Sequence, residues 1–194
     1  MHSAFQYDQY IFRRQVIALD GKFSVYNQNG MLTLYSRQKM FRLKEGIRVY
    51  TDESCTQVLL DIQARHISGF SAAYEVTDRM ENKQIGVLLK KGLTCYIRDE
   101  LQLLDEQERY FAILSKDCNV LAPHRRSHLG RWLPQRYSAI HVDDGSELAN
   151  LHRHFSLFGY YLTLNFRPNL DHRLDRRLGI AAALLLGMIE GRQE

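Results

Sequence analysis

Hydrophobic and polar side chains alternate in short runs over most of this chain. Val58, Leu60, Ile62 and Ala64 share one face of a run whose other face carries Asp61, Gln63 and Arg65. The same two-residue period returns in 72–77 and 158–166, and it predicts half-buried β-strands. Further strands are predicted at 12–19, 23–27, 32–36, 41–43, 47–51, 85–90, 101–104, 110–115, 138–142 and 147–152. Turn signals separate them: Asp20-Gly21, Asn29-Gly30, Asp52-Glu53-Ser54, Asp105-Glu106-Gln107 and Asp143-Asp144-Gly145. About twelve antiparallel strands so closely spaced suggest a meander that closes on itself, because closure removes exposed edges.

The alternation stops near the C-terminus. Leu178–Ile189 contains no charge and no hydrogen-bonding side chain, and it is rich in the helix formers Ala, Leu and Met. Asn169 or Asp171 can cap this helix, Asp171 and Asp175 suit its positive end, and Gly191 suits its stop. A helix at about 171–190 is therefore predicted, apolar all round and so buried on every side. Its apolar run would span about 18 Å, short of the roughly 30 Å bilayer core, and charged residues flank it. No transmembrane segment is expected. Gly179, Ala183 and Gly187 fall four apart on one stripe, where small side chains let surrounding strands come close. A barrel of about twelve strands has an interior too wide for its own side chains to fill. The helix supplies the missing core. The predicted fold is mainly β: one closed antiparallel barrel domain, with strands over about 10–166, enclosing a C-terminal hydrophobic helix.

Several stretches, in this order, carry a family resemblance. They are Phe23-Ser-Val-Tyr-Asn-Gln-Asn-Gly30, Phe41-Arg-Leu-Lys-Glu-Gly-Ile-Arg-Val-Tyr-Thr-Asp52 and Tyr74-Glu-Val-Thr-Asp78. They continue through Ile85-Gly-Val-Leu-Leu-Lys-Lys91 and 137–145 to Leu174-Asp-Arg-Arg-Leu-Gly-Ile-Ala181. The chain resembles the Tubby C-terminal-like superfamily, and within it the LURP-one-related and phospholipid-scramblase-like proteins, over roughly residues 10–190. The resemblance implies a twelve-stranded barrel around a central C-terminal helix. It also implies phosphoinositide binding and membrane tethering, as in Tubby-like members, or calcium-dependent lipid movement, as in scramblase-like members. A Pro-rich N-terminal region and a cluster of Cys for palmitoylation, features of the scramblase pattern, are missing here. The acidic stretch Asp143-Asp-Gly-Ser-Glu147 is too short and too poor in oxygen ligands for an EF-hand and reads as a hairpin turn.

Composition narrows the function classes. The 194 residues are 45% hydrophobic and 25% charged, with a net charge of +4. That permits an anionic partner but is low for nucleic acid, for which no reader motif appears. Three Cys without a CxxC, and no apolar leader at the N-terminus, lead us to expect a cytoplasmic setting, peripheral to the membrane. No GxSxG, Walker A, GxGxxG or HExxH occurs, so we assign no catalytic residues, expect no enzyme activity and expect no cofactor. His124 and His128, and His152 and His154, lack partners at ligand spacing and read as surface histidines, with no metal expected.

The segment 124–136 is the main candidate site. Arg125, Arg126, Arg131 and Arg136 lie near Trp132, the one tryptophan of the chain. Arginine suits bidentate phosphate contacts and tryptophan suits the membrane interface. Arg13-Arg14 and Lys90-Lys91 could extend such a patch, while Arg176-Arg177 reads as pairing with strand carboxylates at the barrel mouth. The leading expectation is a non-catalytic domain binding phosphoinositide or other anionic headgroups, or a protein partner, through its outer surface. The alternatives are scramblase-like lipid transfer and an enzyme using a rim cleft.

Overall fold

Twelve strands follow one another around a single closed antiparallel sheet. They are β1 (Gln9–Gln15), β2 (Asp20–Asn27), β3 (Leu32–Lys39), β4 (Ile47–Tyr50), β5 (Val58–Ser68) and β6 (Ser71–Asp78), then β7 (Lys83–Lys91), β8 (Leu101–Leu104), β9 (Tyr110–Lys116), β10 (Gln135–His141), β11 (Glu147–His154) and β12 (Gly159–Phe166). The helix α1 (Arg176–Glu190) follows the last strand, and short 3-10 turns lie at Ser3–Phe5 and Pro168–Leu170. The structure is a computed structural model that describes residues 1–15, 20–39, 46–68, 71–91, 100–117, 135–154, 159–170 and 172–190.

Each strand pairs with its sequence neighbours, and β1 pairs with β12 from Gln9↔Asn165 to Gln15↔Gly159. The sheet thus has no free edge on which a further strand could pair. Register shifts interrupt the ladders at Val25/Tyr26, Val49/Tyr50, Val76/Thr77, Leu103/Leu104 and Ala139/Ile140. Such irregularities bend strands and increase twist, which helps the sheet close.

The inward positions are those the alternation selected. Phe12, Phe23, Val25, Leu34, Leu60, Ile62, Val76, Leu88, Leu162 and Leu164 are fully buried. They surround α1, in which every residue from Leu178 to Met188 is buried. Small residues bring the helix close to the sheet. A Cβ on Gly179 would stand 2.6 Å from the Phe166 ring, and one on Gly187 would stand 3.0 Å from Phe23 and 3.1 Å from Tyr160. From the other side, a Cβ on Gly86 of β7 would meet the Leu104 carbonyl at 2.4 Å and Leu178 at 3.1 Å. The turns also follow their sequence signals: Gly30 and Gly145 adopt φ of +75° and +69°, a region glycine enters without steric cost.

Three expectations need correction. The helix begins at Arg176, so neither Asn169 nor Asp171 caps it. Asp175 does, accepting a hydrogen bond of 2.8 Å from the Arg177 backbone N–H. Asp20-Gly21 is no turn; its backbone opens β2 and pairs with Lys39 and Gln38. The first strand starts at Gln9, ahead of the predicted Phe12, because Gln9, Tyr10 and Ile11 already pair with β12. The predicted strand at 41–43 lies outside the described residues.

Two outcomes are expected in thermal unfolding. Leu185→Asp should abolish the cooperative melt, because a fully buried carboxylate without a partner costs more than a domain's net stability can absorb; a variant that stays soluble with an intact melt would show that α1 is not the core. Ser36, whose buried hydroxyl has no hydrogen-bond partner, should behave in the opposite way. Ser36→Ala should raise stability by about 1 kcal/mol by removing that desolvated group.

Candidate functional site

The two mouths of the barrel differ in charge. At the end where α1 enters, the helix start is ringed by hairpin turns carrying carboxylates. Arg177 reaches Asp78 at 2.6 Å, Glu81 at 2.9 Å and Asp175 at 2.7 Å. Arg176 bonds Asp8 at 2.6 Å and the Tyr7 carbonyl. Arg173 holds Asp144 at 2.6 Å, and Arg79 covers the buried Asp61 at 2.5 Å. The hydrogen bonds that Arg177 donates to Asp175 foremost, and to Asp78 and Glu81, push its pKa further up. The hydrogen bond from Arg173 leads those that hold Asp144 below the ordinary carboxylate range. These arginines are therefore matched by acids, and Arg176-Arg177 pairs as its position in sequence suggested.

The opposite mouth, where α1 ends, is basic. On four strands the inward row changes from apolar to cationic at its last described position. Phe12 is followed two residues on by Arg14, Leu88 by Lys90, Leu114 by Lys116 and Leu151 by Arg153. Each of these cations touches the interior. Arg14, 5% exposed, lies over the rings of Phe23 and Tyr160, and Arg153 lies 5.2 Å from the Tyr160 ring centroid. Lys116 sits 6.0 Å from the Tyr137 ring centroid. Lys90 borders a crevice lined by Leu101, Leu114, Leu186 and Ile189, with Glu100 beside it. The free volume of that crevice, about 20 Å³, is one water molecule's worth, so α1 leaves no calyx there for an acyl chain.

Inside this ring sits a carboxylate. Glu190, the last residue of α1, is 7% exposed. Tyr137 donates to its Oε1, Tyr160 donates to its Oε2 at 2.9 Å, and Arg153 Nη1 stands 3.6 Å from Oε2. Burial first, and the Glu190 charge second, raise the Tyr160 pKa well above the usual phenol value, so Tyr160 stays a donor. The helix has no basic residue in its last turn. The barrel wall supplies the positive charge that a helix C-terminus favours.

The outer wall beside the basic mouth continues it. Arg13 is sandwiched between Tyr26 and Tyr161, at 4.9 and 5.0 Å from their ring centroids, and donates to the Tyr161 hydroxyl at 2.8 Å. His154 packs edge-on against Tyr161 and against His152, with ring centroids 5.4 and 4.4 Å apart, and its Nε2 lies 2.8 Å from Thr163 Oγ1. Arg136, exposed on β10, is the cross-strand neighbour of His152. The two histidines share a face as their spacing implied. Among the described residues no three His, Cys, Asp or Glu side chains gather as a metal site would require.

Comparison with known proteins adds to the fold. No family model matches the chain, and no curated protein does. A solved X-ray structure of a protein from Arabidopsis thaliana is similar, with a TM-score of 0.52 and 12% identity over 93% of this chain and 91% of that one. The likeness extends over nearly all of both chains. At this identity it shows the barrel fold alone.

Of the predicted headgroup residues, Arg136 is on the outer wall at the basic end, while Arg125, Arg126, Arg131 and Trp132 lie outside the described residues. The flanking pairs divide: Arg13 faces out, and Arg14 and Lys90 face into the mouth. Lys116, Arg153, Tyr137, Tyr160 and Glu190 escaped sequence reading. For Lys116 and Arg153 a signal was present, a basic residue two positions beyond an inward apolar one on separate strands; Tyr137, Tyr160 and Glu190 had none.

The histidine pair yields a pH prediction. Burial first, and the charge of His152 second, lower the His154 pKa below its ordinary 6.5. Arg13 and Arg136 flank the pair, and Tyr161 and Thr163 face it from β12. A folded-state pKa below the unfolded one means the unfolded chain binds the proton more readily. The contribution is therefore complete above pH 6.5 and is lost as pH falls through the folded-state pKa. Thermal melts across this range should show stability falling with acidification, and His154→Gln should flatten that fall.

Proposed function

We propose that this protein is a non-catalytic member of the LURP-one-related branch of the Tubby C-terminal-like superfamily that binds anionic phospholipid headgroups through its basic end. The single observation behind this reading is the charge asymmetry of the barrel. Among the described residues, the helix-entry end carries Asp8, Asp61, Asp78, Glu81, Asp144 and Asp175 around its arginines, and the helix-exit half carries Arg14, Lys22, Arg37, Lys90, Lys116, Arg136 and Arg153 around Glu100 and Glu190. Such a dipolar charge distribution orients a protein on a negative surface. Tyr26, Tyr161 and the Arg13 held between them place amphipathic rings on the adjoining outer wall, the kind of group favoured at a membrane interface. The crowded interior supports surface attachment over uptake of a lipid tail.

Sedimentation with phosphatidylcholine vesicles containing phosphatidylserine or a phosphoinositide tests the proposal. Binding should require the anionic lipid and weaken as salt rises. Arg13→Ala and Arg136→Ala should each reduce affinity about fivefold, the effect of roughly 1 kcal/mol per basic residue near the surface. No binding to any of these vesicles at low salt would rule out headgroup recognition and leave a protein partner as the occupant of this face.

A further inference from the structure

Glu190 stands where general physics disfavours a carboxylate. It is buried, which penalises its charge. It also ends α1, where the helix dipole presents its negative pole. Its surroundings override both effects. Two phenol hydroxyls and the Arg153 guanidinium converge on its two oxygens. Arg14 lies against the Tyr160 ring, and Lys116 lies against the Tyr137 ring. Among the described residues Gln135 also reaches this spot, its Oε1 accepting from the Tyr137 hydroxyl at 2.8 Å. The nearby Glu100 lies on the Lys90 side of the mouth, across the helix's last turn.

This seat selects for negative oxygen atoms. Neutral donors locked in place by burial, together with a guanidinium, are the groups that bind phosphate oxygens. The anion now in the seat belongs to the chain and is carried on the terminal turn of a helix, the part that opens at least cost. Core residues such as Leu184 and Leu185 lie more than a turn earlier, so Glu190 can leave without unpacking them.

We propose that Tyr137, Tyr160 and Arg153 form a phosphate site, and that Glu190 is a tethered competitor which occupies it until a phosphate group displaces it. The seat's chemistry is that of a phosphate mono- or diester oxygen; that the phosphate belongs to a lipid headgroup rests on the function proposed above. Glu190 then sets a threshold, so that a highly charged headgroup enters and a weak anion does not.

The experiment compares the wild-type chain with Glu190→Gln and Glu190→Asp. Thermal melts are followed with increasing inorganic phosphate at constant ionic strength, and sedimentation is measured with phosphatidylcholine vesicles carrying a phosphatidylinositol bisphosphate. In Glu190→Gln the competing charge is gone, and phosphate affinity should rise about tenfold over wild type. Adding Arg153→Met should cancel the gain. Glu190→Asp keeps the charge but draws it back from Tyr137, and it should gain about threefold. This arm decides the matter if Glu190→Gln fails to fold. Phosphate that stabilises the folded variants no more than wild type would overturn the proposal. The vesicle arm reads the source separately. A phosphate gain without vesicle binding keeps the seat and removes the headgroup, whereas vesicle binding unchanged by either variant, with no phosphate gain, removes the seat and keeps the surface.

Discussion

Everything in this molecule depends on hiding a helix that has no polar face. Leu178–Met188 cannot lie against one sheet, because whichever side stayed exposed would place Leu, Ile or Met in water. A sheet that closes around the helix meets that need in all directions. The dependence runs both ways, since a twelve-stranded barrel without a filler would be hollow. Gly179, Gly187 and Gly86 let helix and wall approach until the rings of Phe166, Phe23 and Tyr160 and the side chain of Leu178 fill the space between them. Close packing of this kind is what separates a core from a loose apolar interior.

A buried helix still has two polar ends, and each end shapes a mouth of the barrel. At the start, the Arg177 N–H finds the Asp175 side chain, and Arg176 and Arg177 tie the first turn to Asp8, Asp78 and Glu81. At the finish, carbonyls and the Glu190 carboxylate gather negative charge, and the wall answers with Arg14, Lys116 and Arg153. The helix polarity is thus copied into the barrel as a charge difference between its mouths. The attachment surface proposed for an anionic partner draws on the same positive charge that satisfies the helix end.

Much of the fold was legible in the sequence because its two signals are local. Alternation with a period of two shows in any run of six residues, and a wholly apolar stretch stands out without knowledge of its neighbours. Turns at Asn29-Gly30 and Asp144-Gly145 were equally visible, since the left-handed backbone there calls for glycine. Cap position was less so: Asn169, Asp171 and Asp175 all suit a helix start, and only the ion pairs of Arg176 and Arg177 with the entry mouth select the last. The site was barely legible. Arg136 stood out as part of a charged run, while Lys116 and Arg153 are single basic residues in different strands, and Tyr137, Tyr160 and Glu190 carry no motif.

The sequence by itself determined that alternating strands would close around an apolar helix, because burial of apolar surface is dictated residue by residue. Only the tertiary structure decided which polar side chains meet. Tyr137, Tyr160, Arg153 and Glu190 come from three strands and a helix, and their convergence depends on strand register, where a shift of one residue would turn every side chain to the opposite face. Hydrophobic burial is non-directional and can be read from composition and period. Hydrogen bonds and ion pairs act over a few ångströms, and the partners they join are set by the closed barrel.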